Sequence, residues 1–279
     1  MPRRERDPRG HIYLPDYLNE RDRAAIVEWL ATLHPIWEYR YALNRAPPSG
    51  QPQRKLLRPV YWLGNWQFAC LEYYRPPKGV HERCLAAEPF PPPLRRIARD
   101  MERRARASFP KEWLPHGFVF NTCLVNFYGS RLEDGRAIDC ARVGEHRDFE
   151  PGPVGSLSLG ERALFQFVSS KRVGERDAPI LSQWLDDGSL QLFAGPLYKE
   201  RVFHRVQRVD RKRKLEFPPA IDGFRTRRIN LTFRFVPPEH IVPLEQLSPA
   251  RREDILPYLK ELALRSPFFA RALERAELT

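Results

Sequence analysis

Residues 227–236, RRINLTFRFV, alternate with the period of an extended strand. Ile229, Leu231, Phe233 and Phe235 share one face, and Arg228, Asn230, Thr232 and Arg234 share the other. One reading is an edge strand with a wet polar face. The other buries that face, where two arginines and an amide are costly without an anion among them. Upstream lie FVFNTCLVNFY (118–128), VGSLSLG (154–160), RALFQFV (162–168), ILSQWL (180–185), SLQLFAG (189–195) and RVFHRV (201–206). All are short β-branched or aromatic runs between turn signals, and Asp186-Asp187-Gly188 suits a hairpin between two of them. Such a series predicts a sandwich or barrel rather than alternating βαβ units.

The flanks read differently. Residues 1–15 look like an arm, and DYLNERDRAAIVEWLATL (16–33) has helical apolar spacing. APPSGQPQR (46–54), RPPKG (75–79) and PFPPPL (89–94) are breaks. A second helix is predicted over 94–108, its arginines (Arg95, Arg96, Arg99, Arg103, Arg104, Arg106) forming a solvated face. Beyond Pro237 the pattern is helical again, with Ser248 as N-cap, Pro249 at the first helical position, and apolar faces from ILPYLKELAL and FFARALERAEL. The expected organisation is therefore 1–117 helices and lid, 118–237 β core, and 238–279 helical extension.

Composition narrows the partners. The 279 residues are 42% hydrophobic, enough for a core, and no run approaches the ~18 apolar residues that span a bilayer. No secretory signal is read in the charged N-terminus, and Cys70, Cys84, Cys123 and Cys140 lack CxxC spacing. An intracellular, reducing location is expected, cytoplasmic in a bacterium or nuclear in a eukaryote. Lys and Arg number 47 against 35 Asp and Glu, a net +12 that favours a polyanion, nucleic acid before membrane. An arginine-rich composition reflecting a GC-rich gene is the competing explanation.

Two elements carry chemistry. His146 and Asp148 stand two apart in an extended segment, so an imidazole and a carboxylate face the same way and can chelate one metal ion. A third ligand from another strand would complete the facial triad that leaves three open positions on Fe(II). HxD alone is a weak signal. On the 228–234 strand, Arg228 and Arg234 can each pair with one carboxylate of a dicarboxylate co-substrate.

HxD followed by RxNxTxR resembles the AlkB family of Fe(II)- and 2-oxoglutarate-dependent dioxygenases. Asn126-Phe-Tyr128 resembles the family's N-x-Y, SLSLGERALFQF (156–167) its SVSLG and FQF strands, and DDGSLQLFAGP (186–196) the approach to its second metal histidine. The likeness runs from about residue 121 to 235 and is weaker from about 62. It implies a double-stranded β-helix (jelly roll), an α+β fold with a mainly β core and N-terminal helices and lid, to which this chain adds a C-terminal helical cap without counterpart in the compact members. It implies that His146, Asp148 and His204 hold the iron. By the same resemblance, Arg228 pairs with the distal carboxylate of 2-oxoglutarate and Arg234 with the carboxylate beside the keto group. Asn126, Tyr128 and Asn230 complete the co-substrate's hydrogen bonds.

The activity so implied consumes O2 and 2-oxoglutarate, yields succinate and CO2, and hydroxylates a C–H bond. On an N-alkylated base of DNA or RNA the hemiaminal product falls apart, releasing an aldehyde and repairing the base. Trp66 and Tyr73 match the relative spacing of the family's lid aromatics, which stack on a flipped base; ordinary lid-core packing is the alternative. Glu150 matches an acidic position that contacts the base's exocyclic amine, and otherwise is a solvated glutamate. Two stretches depart from compact members: 129–145 is longer, and 208–227 adds basic residues. Of these Arg208, Arg211, Lys212, Arg213 and Lys214 either track phosphates or form a solvated loop. The C-terminal helices either dock a partner or pack on the barrel's outside. A monomer is expected. Alternatives are the same chemistry on a protein or small molecule, and a non-catalytic nucleic-acid-binding jelly roll.

Overall fold

The computed structural model describes residues 8–40, 54–55, 58–67, 84–169, 179–207 and 216–277. In chain order the strands and helices are β1 (His11–Leu14), α1 (Glu20–Leu30), β2 (Tyr39–Arg40), β3 (Arg54–Lys55), β4 (Val60–Leu63), β5 (Asn65–Trp66), β6 (Cys84–Ala86) and α2 (Pro92–Ser108). The β-rich part follows: β7 (Thr122–Glu133), β8 (Arg136–Asp139), β9 (Val143–His146), β10 (Val154–Gly160), β11 (Ala163–Val168), β12 (Leu181–Leu185), β13 (Leu190–Phe193), β14 (Phe203–Gln207) and β15 (Phe224–Arg234). The chain ends with β16 (Ile241–Val242), α3 (Pro249–Ala263) and α4 (Pro267–Glu277).

Two sheets face each other. The larger runs β1-β13-β10-β15-β7-β4, with β8 paired to β7; the smaller runs β12-β11-β14-β9. From β9 to β15 the chain crosses repeatedly between the sheets: β9 in the smaller, β10 in the larger, β11 and β12 in the smaller, β13 in the larger, β14 in the smaller and β15 in the larger. That is jelly-roll winding, and the α+β fold with a β core is as the motifs imply. Strands β1 and β4 come from the N-terminal segment and extend the larger sheet on both edges, so the segment before Phe118 is built into the core's sheet.

The expected hairpin at Asp186-Asp187-Gly188 is not one. Strand β12 belongs to the smaller sheet and β13 to the larger, so this turn hands the chain across the sandwich. The Asp187 carboxylate ties the crossover down by accepting from the Gly160 N–H at 2.8 Å. An Asp-Gly hairpin does occur between β7 and β8, where Asp134 and Gly135 have φ of 48° and 73°. Both central residues are left-handed, the geometry that matches the twist of paired antiparallel strands.

Helix α1 starts where Asn19 caps it, its side-chain oxygen accepting from Asp22 N–H at 2.8 Å. Helix α2 buries Leu94, Ile97, Ala98, Met101 and Ala105 against the larger sheet and leaves its arginines outward, where Arg96 pairs with Asp22 and Arg104 with Asp100. Helices α3 and α4 pack on the side of β5 and β6, and Ile255, Leu259, Leu262 and Phe269 join the main hydrophobic cluster. No helix among the described residues is long and apolar enough to cross a membrane.

Candidate active site

Strand register builds the metal-binding group. On the smaller sheet His204 of β14 is the direct partner of His146 at the end of β9. Their rings lie 4.2 Å apart between centroids. Asp148, just past β9, brings a carboxylate oxygen to 3.3 Å from His204 Nε2. One potential ligand atom from each of the three residues lies within 4.8 Å of the others, the one such group among the described residues. The imidazole tautomer of His146 is set by its Nδ1, 2.8 Å from the Gly144 carbonyl, which leaves Nε2 for a metal. Phe165 stacks on the His204 ring at 5.4 Å and fixes its plane.

Electrostatics prepare the same group. Burial pushes the His146 imidazole down, with Asp148 offsetting part of the effect. Burial first, and then the repulsion that a second proton on neighbouring His146 would bring, holds His204 well below its ordinary value, so both rings stay neutral and able to ligate. Burial opposes ionisation of Asp148, yet the Arg234 charge holds its carboxyl below the usual carboxylate range. The Arg234 Nε and Nη2 sit 2.8 and 2.7 Å from the same Asp148 oxygen. Two neutral imidazoles and an ionised carboxylate converging on one point fit an Fe(II) ion.

The polar face of β15 is buried, which decides between its two readings. Arg228, Asn230 and Arg234 are buried and line, with the three candidate ligands, one cavity of about 80 Å³. Asn126 and Tyr128 of β7 stand opposite Asn230 and Arg228 in register and line the same cavity. Ser156, Ser158 and Asn230 interlock: both serine hydroxyls donate to Asn230 Oδ1, and Asn230 Nδ2 donates to Thr232 Oγ1. Arg228 Nη2 donates to Ser158 and to Asn230 Oδ1, but its Nε and Nη1 have no hydrogen-bond partner among the described residues. Its neighbour Arg227 takes Glu161 at 3.0 Å, so the adjacent carboxylate is spoken for. Burial pushes the Arg228 guanidinium below its ordinary value, the Tyr128 oxygen offsetting part of it. An orphaned, buried guanidinium edge of this kind fits a carboxylate ligand.

Substrate-side expectations fare unevenly. Glu150 is buried rather than solvated, its carboxylate 3.7 Å from Arg234 Nε. It lines a second cavity of about 460 Å³ with Trp113, Phe149 and Lys199, and Asp148 lines both cavities. Trp66 needs correcting. It is fully buried, edge-on to Tyr61 and Phe269, and its indole N–H donates to Glu38 at 2.7 Å. A ring so enclosed presents no face for a base to stack on. Tyr73, Arg208, Arg211, Lys212, Arg213, Lys214 and Cys70 lie outside the described residues. The other cysteines are buried, and burial pushes the Cys123 thiol far up, so it is no nucleophile.

Two site residues had not been picked out. Arg58 donates from Nε to Asn126 at 3.0 Å and lines the metal-site cavity. Lys199 is half-buried, its ammonium enclosed and without a hydrogen-bond partner among the described residues; burial pushes it down while Asp148 and Glu150 push it up. The first precedes a strand hidden in a Pro-flanked stretch. The second sits in a helical turn that only the fold brings to Asp148.

Residues 10–234 match the model of the 2OG-Fe(II) oxygenase superfamily. No curated protein matches the chain. Among solved structures it is similar to OsALKBH1, at 20% identity over 81% of this chain and 98% of that one, with a TM-score of 0.46. It is also similar to SnoN, a non-heme α-ketoglutarate-dependent epimerase from nogalamycin biosynthesis, at 13% identity over 86% and 85% of the two chains, TM-score 0.39.

Proposed function

Because this chain belongs to the 2OG-Fe(II) oxygenase superfamily, and so is an Fe(II)- and 2-oxoglutarate-dependent dioxygenase, we propose that it removes alkyl groups oxidatively from N-alkylated bases of DNA or RNA. The observation that carries the reading is the AlkB-like text itself: N-x-Y, HxD with Glu150 two residues on, SLSLG and RxNxTxR, in one order along the chain. The net charge of +12 supports a polyanionic partner.

In this reading His146, Asp148 and His204 hold the iron, Arg228 takes the distal carboxylate of 2-oxoglutarate, and Arg234 the carboxylate beside its keto group. Asn126, Tyr128 and Asn230 fill in the remaining hydrogen bonds. The bound iron, with O2 and 2-oxoglutarate, supplies the oxidising power that turns a C–H bond into C–OH and yields succinate and CO2. The protein's part is placement. Arg234 keeps Asp148 ionised and fixed, the Gly144 carbonyl keeps His146 in one tautomer, and the serine pair keeps Asn230 turned toward the cavity. The larger cavity beside Asp148 takes the alkylated base, with the Glu150 carboxylate as acceptor for an exocyclic amine. The basic residues from Arg208 to Lys214 contact phosphates.

A second reading, the same chemistry on a protein or small molecule, gains from the burial of Trp66, which removes one of the two expected stacking rings. One assay separates them. Fe(II)-loaded protein is given 2-oxoglutarate, O2 and an oligonucleotide bearing 1-methyladenine. Formaldehyde release with loss of the methyl mass, both abolished by His146→Ala, is the expected result. Succinate without demethylation assigns the site to another substrate.

A further inference from the structure

The cavity's polar wall contains a cross-strand row. Strand β4 pairs with β7 at Val60↔Asn126, and the pairing continues as Phe127 N–H donates to the Pro59 carbonyl at 3.2 Å. That continuation carries Arg58 opposite Tyr128, and Tyr128 is in turn the register partner of Arg228 on β15. Side chains one pairing apart on one sheet face are neighbours. The guanidinium carbons of Arg58 and Arg228 accordingly lie 4.7 and 4.8 Å from the Tyr128 ring centroid.

Among the described residues neither cation has a carboxylate within hydrogen-bond distance: Arg228 donates to Ser158 and Asn230 and lies beside the Tyr128 oxygen, and Arg58 donates to Asn126. Two guanidinium ions on one tyrosine repel, and the Arg58 charge is among the influences that push Arg228 down. Aromatic contact repays a fraction of that cost; an anion touching both repays far more.

We propose that Arg58 and Arg228 form a two-arginine clamp on the distal carboxylate of 2-oxoglutarate, with Arg58 as the half-exposed outer jaw. The inference rests on the assignment of Arg228 to that carboxylate. Arg228 approaches from the buried side with Nε and Nη1. Arg58 is anchored through Nε to Asn126, which leaves its Nη groups to close over the carboxylate from the solvent side. The clamp makes the pocket selective for 2-oxo acids that carry a second carboxylate.

The test is equilibrium binding to Fe(II)-loaded protein without oxygen, followed by titration calorimetry. Wild type, Arg58→Met, Arg58→Lys and Arg228→Met are each titrated with 2-oxoglutarate and with 2-oxobutyrate, which lacks the distal carboxylate. Arg58→Met is expected to raise the Kd for 2-oxoglutarate about tenfold, the size of one partly exposed charged hydrogen bond, and to leave that for 2-oxobutyrate unchanged. Arg58→Lys, which keeps the charge, is expected in between. The methionine keeps the packing on Tyr128, so a purely structural Arg58 leaves both constants in place or moves both together, and either result overturns the clamp. Weakening by Arg228→Met alone overturns it while leaving the pocket assignment intact. If neither variant discriminates between the two acids, that assignment falls as well.

Discussion

Trp66 and Trp62 both donate their indole N–H groups to one oxygen of Glu38, at 2.7 and 3.1 Å, and the carboxylate is almost fully buried. Burying a carboxylate is tolerable where charged hydrogen bonds replace water, and here two are supplied by aromatic rings that also fill the core. This explains a tryptophan at a position where the resemblance implies a base-stacking residue. It also separates the two roles by experiment. Trp66→Phe keeps the ring in contact with Tyr61 and Phe269 but removes one donor, so it is expected to cost about 1–2 kcal/mol of stability. Trp66→Ala also opens a cavity and is expected to cost about 3–5 kcal/mol. Urea midpoints measure both, and the affinity of Trp66→Phe for an alkylated oligonucleotide should equal that of wild type. A large loss of affinity at unchanged stability would restore the stacking role.

The glycines at element ends show what a sequence can and cannot say about connection. Gly135 and Gly160 both have positive φ, 73° and 88°. A methyl at Gly135, in the β7–β8 hairpin, meets open space, whereas at Gly160 it falls 2.5 Å from the Arg227 carbonyl oxygen and from the Phe217 ring. Gly135→Ala is thus expected to cost about 1–2 kcal/mol, the left-handed penalty alone. Gly160→Ala must also shift the β15 backbone beside Arg228, so the expected result is a greater loss of stability together with weaker 2-oxoglutarate binding. Stability and binding measured on both variants check this. Turn residues announce that the chain reverses and say nothing about which strand receives it, which is why Asp186-Asp187-Gly188 reads as a hairpin and is a crossover. His146, Asp148 and the β15 face were legible because each depends on a two-residue period within one extended segment, whereas His204, on another strand, followed only from the family resemblance. Arg58 was not, since its place depends on pairing with a strand some seventy residues away.

At the scale of the molecule, the C-terminal helices are part of the main core. Phe269 of α4 is fully buried against Trp66, and Ile255, Leu259 and Leu262 of α3 belong to the same cluster as Leu157, Ile229 and Leu231 of the larger sheet. Polar ties reinforce the seam: Ser266 Oγ bonds Glu88, which also accepts from Tyr61, and His34 lies 3.1 Å from Glu261. Amphipathic spacing in 255–278 announced helices with something to cover but could not name the surface, because β5 and β6 are too short to read as strands. Continuity of the core has a consequence for unfolding. An appended pair of helices would melt as a separate, earlier step. A pair that shares the core should unfold with it in one transition. Phe269→Ala tests this, since emptying that site is expected to cost about 3–5 kcal/mol. The expected outcome is a single urea transition displaced to lower concentration, with helical circular dichroism and 2-oxoglutarate binding lost together. Early loss of helical signal with 2-oxoglutarate still bound would instead make α3 and α4 an independent cap.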